Sequence, residues 1–434
     1  MVRPIIIVTG ANGGVGFGVC HRLLVQLSQP QPPDAQPVFA KHAGTSGPVL
    51  ASASEGVTII MACRDLQRAG AARAQLYGLL DTHIAKIPRG TKEHEYALEF
   101  QRNVALEIHR VDLSSVRSVF DFGKEVSQKY PYISHLICNA GLATYSHLDY
   151  WVFFRQVFED PLDAVRHPMF NVQKSGAMSQ DNLGHVWQCN VFGHYVMYRT
   201  LQPLLSRYSS QFDTASEPLP QARVLWMSSV DALATYDPDT DWQLTKTDTS
   251  YQSSKAQIDF LVMELARRDH VPTPSSPSST SPTSPAIGHY LVSPGITATK
   301  MAAELLRPYI LELCMLAFFY FVRMLGSPHV NFATYKSAVA ASHVTLAPAR
   351  CIPTTAAGEG MGEEEDTRFP KLTVFSDRLG RERVGIDPVA AWDKHPDEGA
   401  RILERCERLY QAFVEREKGS GEGTANGNGH AASP

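Results

Sequence analysis

Four β-branched residues, Ile5-Ile6-Ile7-Val8, run directly into Thr9-Gly10-Ala11-Asn12-Gly13-Gly14-Val15-Gly16-Phe17-Gly18, and a helical pattern follows with Val19, Leu23, Leu24 and Leu27 on one side. An uncharged β-branched run of this length suits a strand buried on both faces, as in a parallel sheet covered by helices. Glycines between such a strand and a helix let the backbone turn tightly and bring the free N–H groups of the helix N-terminus against a pyrophosphate. The spacing of Gly10, Gly14 and Gly16 is Gly-x-x-x-Gly-x-Gly. Glycines alone would equally make a plain turn. Their place between a strand and a helix favours a nucleotide site, with Thr9, Gly10, Asn12, Gly14, Val15 and Gly16 as its contacts.

The same alternation continues along the chain. Val57 to Cys63 reads as a second buried strand, Val104 to Val111 as a third, His135 to Cys138 as a fourth, Arg223 to Met227 as a fifth and His289 to Val292 as a sixth, with helical patterns between them. Strands alternating with helices predict an α/β fold with a parallel sheet and ligands at the C-terminal strand ends. Arg64 follows the second strand, about twenty residues after the glycines once the intervening insertion is discounted, where the adenosine ribose belongs. An arginine there meets a 2′-phosphate and favours NADPH; the neighbouring Asp65 is equally an N-cap. Asp112 ends the third strand, placed to accept from an adenine amino group or to cap the next helix. The small residues of Asn139-Ala140-Gly141 let the backbone approach a cofactor ribose. Residues 28–56, 86–102, 142–184 and 272–286 read as insertions. The first is a Pro/Ala/Ser/Gly-rich surface loop without order, the second a charged excursion, and the last a Pro/Ser/Thr tract carrying Ser-Pro sites at Ser276, Ser281 and Ser284. The third holds Trp151, Phe153, Phe154, Phe158 and Phe170, which either roof an apolar substrate or only pack the loop down.

Tyr251 and Lys255 stand four residues apart at the head of the apolar run Ile258-Asp259-Phe260-Leu261-Val262. On a helix they share a face. An ammonium beside a phenol favours the phenolate and draws a tyrosine of ordinary pKa about 10 towards proton exchange near neutrality.

Taken together, Thr9-Gly10-x-x-x-Gly14-x-Gly16, Asn139-Ala140-Gly141, Asn190, Ser229, Tyr251-x-x-x-Lys255 and Pro294-Gly295 resemble the short-chain dehydrogenase/reductase family over roughly residues 4–300. Within it, Asp181-Asn182-Leu183-Gly184, Asn190-Val191-Phe192-Gly193-His194-Tyr195, Asp241-Trp242-Gln243-Leu244 and Asp377-Arg378-Leu379-Gly380-x-Glu382-Arg383-Val384-Gly385 are similar to the fungal 3-ketosteroid reductases of ergosterol synthesis, through about residue 415. The resemblance implies a Rossmann-type doubly wound sheet in a single domain over 1–418. It implies Tyr251 as general acid, Ser229 rather than Ser228 on the carbonyl oxygen, Lys255 on the tyrosine and the nicotinamide ribose, and Asn190 holding a water that links Lys255 to solvent. Pro294 and Gly295 would turn the chain at the nicotinamide, with Thr297 or Thr299 bonding its carboxamide. The implied reaction is NADPH-dependent reduction of a 3-keto sterol to the 3β-alcohol. The implied surroundings are the endoplasmic reticulum or lipid droplets and the other C-4 demethylation enzymes.

Composition sets limits on partners. A net charge of -4 over 434 residues, with no lysine/arginine run, gives no attraction to nucleic acid. The seven cysteines are scattered and odd in number, mostly in apolar runs, and read as reduced core residues of a cytosol-facing protein and not as a disulfide or zinc framework. The opening apolar run is too short for a signal-peptide core. Leu305 to Leu325 is strongly apolar, yet Glu312 and Arg323 bracket an uncharged run short of the about 20 residues that cross a bilayer, so a pocket lid and a membrane-interface helix are expected jointly, with plain core as the alternative. Gly419 to Pro434 reads as a disordered tail.

Overall fold

The structure is a computed structural model and describes residues 2–39, 50–210, 221–270, 287–297, 309–353, 369–389 and 395–425. The Ser-Pro tract, Thr299, the start of the Leu305 to Leu325 segment and residues 426–434 lie outside the described residues. Twelve strands are described: β1 (Ile5–Thr9), β2 (Thr58–Cys63), β3 (Ala105–Arg110), β4 (His135–Cys138), β5 (Tyr145–Leu148), β6 (Asn171–Gln173), β7 (Arg223–Met227), β8 (Gly288–Ser293), β9 (Ile296–Thr297), β10 (Val330–Asn331), β11 (Pro370–Ser376) and β12 (Glu382–Pro388). Eight form one sheet in the order β12-β11-β8-β7-β4-β1-β2-β3. All its pairings are parallel except that of β12 with β11.

The helices are α1 (Gly14–Leu27), α2 (Leu66–Ile84), α3 (Lys92–Asn103), α4 (Val116–Lys129), α5 (Tyr150–Glu159), α6 (Pro161–Arg166), α7 (His185–Trp187), α8 (Gly193–Ser210), α9 (Ser250–His270), α10 (Tyr309–Met324), α11 (Thr334–Ser337), α12 (Val339–Leu346) and α13 (Glu398–Ala425). Successive strand side chains point to opposite faces. Ile5 and Ile7 therefore join the cluster under α4, α8, α9 and α13, whereas Ile6 and Val8 join the one under α1, α2, α3 and α12. Two buried faces explain why the strands read as continuous apolar runs. The chain builds β1, β2 and β3 outward, then crosses back to lay β4 on the other side of β1. This reversal opens a crevice at the C-terminal ends of β1 and β4, where such sheets take their ligands.

Four expectations need correction. The residues flanking 40–49 are not a loose loop: Asp34, in a short 3-10 turn over Pro33–Ala35, is buried and pairs at 2.5 Å with the equally buried Arg22 of α1. Leu50, Ala51 and Ala53 are buried too. The burial of Arg22 is a long-range fact that local composition does not reveal. The charged excursion contains α3, N-capped by Thr91 and burying Ala97 and Phe100 beneath its polar face. The expected tail begins as helix, since α13 continues to Ala425. Finally, Asp112 does not cap α4; Ser115 does, by accepting from Ser118 N.

The C-terminal helix is structural. Ile402, Leu403 and Cys406 of α13 enter the core, Phe413 lies 6.2 Å from the Phe192 ring, and Tyr195 donates to Glu407.

Candidate active site

The end of β1 is fastened to the end of β4. Thr9 Oγ1 accepts from the main-chain N–H groups of Asn139 and Ala140, and Asn139 Nδ2 donates to Thr9 O, all at 2.9 Å. Gly10 and Gly14 adopt φ of 68° and 54°, in the left-handed region that favours glycine. A Cβ at Gly16 would lie 2.5 Å from Asn139 Nδ2 and 2.6 Å from Gly10 O, so the helix start can press against the strand ends only as glycine. The first turn of α1 is electrostatically open. Helices α2 to α6 each have a side-chain cap, from Asp65, Thr91, Ser115, Asp149 and Asp160, while Gly13 offers α1 none and its first turn holds no acid. Uncapped N–H groups with a bare glycine approach fit a pyrophosphate. Val15 is half-buried at this helix start and Asn12 half-buried in the turn before it.

Asp65 is the N-cap of α2, which leaves Arg64 exposed at the end of β2 with no ion pair among the described residues. The Asp112 carboxylate accepts from Ser114 N and Oγ. Gly295, at φ 69°, follows β8; a Cβ there would meet His329 O at 2.7 Å. The Thr297 hydroxyl donates to Ser337 Oγ at 2.6 Å, so it is already engaged.

The reacting groups converge from three elements. Tyr251 and Lys255 lie one turn apart on α9, with Lys255 Nζ 5.7 Å from the Tyr251 ring centre. Ser229 leaves the end of β7; its hydroxyl accepts from Asp231 N and faces the Tyr251 phenol. Ser228 instead is buried facing Asp259. Gly141 completes the convergence: a Cβ there would lie 3.3 Å from Asn190 Oδ1 and 3.7 Å from Lys255 Nζ. Asn190 sits in a π-helical turn, Gln188–Phe192, between α7 and α8. Such turns recur at functional sites.

One detail differs from expectation. Burial pushes the Tyr251 phenol up to about 12 and the Asp231 carboxylate adds to this, with Ser229 opposing. The expected depression by Lys255 does not prevail, because Lys255 is itself buried, lowered to about 8, and donates at 2.7 Å to Met227 O. The Asn190 amide donates to Leu142 O and Ser254 Oγ and its Oδ1 accepts from Leu142 N, so its side chain holds the Gly141 loop.

No protein-family model matches the chain. It is 28% identical over 341 residues to the 3-keto-steroid reductase of Kluyveromyces lactis, covering 78% of this chain and 80% of that protein. It is 26% identical over 415 residues to the 3-keto-steroid reductase of Schizosaccharomyces pombe, covering 95% and 98%. With that of Eremothecium gossypii the identity is 34% over 238 residues, 55% of this chain and 61% of that protein. The chain belongs to the short-chain dehydrogenase/reductase family. It is accordingly an oxidoreductase.

Within this short-chain reductase several site residues carry no motif. Gln173 Oε1, from β6, accepts from Tyr251 N at 2.9 Å and Ser250 Oγ at 3.0 Å, so the catalytic helix is capped by a residue from the 142–184 excursion. His167, beside α6, contacts the buried Asp231 at 3.3 Å. The buried Tyr145 of β5 stands near both Tyr251 and Asp231. A glutamine so far from the tyrosine in sequence gives no local signal.

His194, behind Thr9, is buried and neutral: it donates from Nδ1 to Asn190 O at 3.1 Å and its Nε2 lies 3.0 Å from Thr9 Oγ1. Burial lowers its pKa from 6.5 to about 4. Between those values the unfolded chain binds the extra proton, so this contribution to stability is whole above pH 6.5 and is lost as pH falls towards 4. Its full size is about 3 kcal/mol. Thermal melts from pH 7 to pH 4 should show the fall, and His194→Gln should show a smaller one.

Proposed function

We propose that the protein reduces the 3-keto group of a sterol to the 3β-alcohol with NADPH, as a step of sterol C-4 demethylation. The observation that carries this is the meeting of Tyr251, Ser229 and Lys255 beside an uncapped glycine cradle, in a chain similar along nearly its whole length to proteins named 3-keto-steroid reductases. Thr9, Gly10, Gly14, Gly16, Asn139, Gly141 and Gly295 would hold the cofactor, with Arg64 free to meet a 2′-phosphate. When bound, NADPH supplies the hydride. The Ser229 hydroxyl orients the ketone oxygen, and the Tyr251 phenol donates the proton that the resulting alkoxide needs. A phenol raised to about 12 holds its proton firmly until an alkoxide, a stronger base, forms beside it. Lys255 then stabilises the phenolate left behind.

The test is consumption of NADPH and NADH with a panel of 3-keto, 17-keto and retinoid ketones. The expected result is turnover of a 4-demethylated 3-keto sterol with NADPH, and loss of most of the NADPH preference in Arg64→Ala. Equal rates across the panel would favour a general lipid-ketone reductase instead.

Two exposed faces support a site of action at a membrane surface. On α5, Trp151, Phe154 and Phe158 share one stripe and are 80%, 65% and 91% exposed. On α10 the outward residues are Leu313, Cys314, Ala317, Tyr320, Phe321 and Met324, without a charge. Phe153 joins the helices by packing against Phe318 at 5.8 Å and Phe170 at 5.0 Å. Among the described residues no helix is long and apolar enough to cross a membrane. Exposed aromatic and aliphatic faces of this kind suit the headgroup boundary of a bilayer. The proposed location is therefore the cytosolic face of the endoplasmic reticulum or lipid droplets, where an insoluble sterol and the other demethylation enzymes are at hand. Trp151→Ser combined with Phe158→Ser should cut sedimentation with phosphatidylcholine/phosphatidylserine vesicles about tenfold or more, each buried aromatic contributing roughly 1.5 to 3 kcal/mol. Unchanged sedimentation would remove this face from the account.

A further inference from the structure

The line of side chains that carries Tyr251 and Lys255 does not stop there. Asp259 lies a further turn along α9, on the same face. Its Oδ2 accepts at 3.0 Å from Lys371 Nζ, and both side chains are almost fully buried. Lys371 comes from β11, 112 residues away, and also donates at 3.2 Å to the main-chain carbonyl of Ser229. A buried ion pair costs desolvation and is weak evidence for stability, so its position calls for another explanation.

We propose that Asp259 and Lys371 are positioning residues for the reaction: Asp259 keeps the Lys255 ammonium charged from one helical turn away, and Lys371 neutralises Asp259 while holding Ser229 by its carbonyl.

The surroundings of Lys255 leave Asp259 in that role by elimination. The other titratable groups about Lys255 are Tyr251 on α9, Cys138 on β4 and His194 on α8. Burial holds the phenol and the thiol protonated and the imidazole neutral, so none offers a negative charge at pH 7. Burial raises the Asp259 carboxyl above its ordinary value, and Lys371, the Ser228 hydroxyl and Lys255, which face it, oppose that rise and favour the carboxylate. A buried lysine with no anion near it readily loses its proton. Lys371 thus ties β11 to the residues that follow β7, where the ketone-orienting serine sits.

Selective 13C-lysine labelling tests the electrostatic half without any substrate. The Cε signal of Lys255, assigned by its absence in Lys255→Met, should titrate about one to two units lower in Asp259→Asn than in the wild type. Because Asp259→Asn strands Lys371, the double variant Asp259→Asn/Lys371→Met removes the pair as a unit and keeps the fold measurable. Lys255 should titrate below wild type there as well. An unmoved midpoint in both overturns the role of Asp259. The kinetic half rests on the reductase reading above. With whichever ketone the wild type reduces, Lys371→Met should lower kcat about tenfold to a hundredfold by misplacing Ser229, with little change in KM for NADPH, and Lys371→Arg should restore most of it. Wild-type kcat in Lys371→Met overturns the role of Lys371. A wild type that reduces no ketone overturns the reductase reading itself, and the lysine titration still decides Asp259.

Discussion

Replacing Tyr251 by phenylalanine is expected to lower kcat for ketone reduction by about a hundredfold to ten-thousandfold, the usual worth of a positioned general acid. Binding of NADPH, measured by quenching of protein fluorescence, should change little, because the phenol hydroxyl faces Ser229 and not the glycine cradle. The steepness of the loss follows from the absence of a substitute. His194 is held neutral behind Thr9, Asp231 is tied to His167, and Lys255 points to Met227 O. Turnover in Tyr251→Phe equal to that of the wild type would mean that the protein binds its cofactor without using it for this chemistry.

The second large effect is on stability. Asp34→Ala should lower the free energy of unfolding by about 3 kcal/mol in urea titrations, near the lower end of what stranding a buried charge costs. Arg22 donates to both Asp34 oxygens, at 2.5 and 2.8 Å, and loses these bonds together. Glu382 of β12 remains at 3.0 Å and limits the damage. Arg22→Met combined with Asp34→Leu removes both charges and should recover much of the loss. Activity per folded molecule should be unchanged, since the pair lies away from Tyr251, Ser229 and Lys255.

These two predictions mark what was legible in the chain and what was not. Tyr251, Lys255 and the glycines announce themselves because a helical turn and a tight strand-to-helix turn each fix a spacing in sequence. The parallel sheet is legible for a similar reason: strands buried on both faces, such as Ile5–Thr9 and Thr58–Cys63, show as uninterrupted apolar runs. Asp34 looked like part of a loose loop because its partner is on another element, and composition averages over a residue whose importance lies in one contact. The helix α3 was hidden for another reason. Its polar surface outweighs Ala97 and Phe100, the two residues that it buries. Gln173, Asp259 and Lys371 illustrate the remaining gap. Asp259 at least keeps the four-residue spacing from Lys255, whereas Gln173 and Lys371 reach the site only once the excursion and the eleventh strand have folded against α9.

The packing of α13 also bears on how the protein comes off the ribosome. Among the described residues β1 comes early and lies inside the sheet, whereas α13 follows every strand and covers α9 and the Phe192 ring. Gly399 of that helix passes so close to α9 that a Cβ would stand 2.6 Å from Phe260 O. A nascent chain can assemble its nucleotide crevice early, but one side of its core stays uncovered until Phe413 has left the exit tunnel.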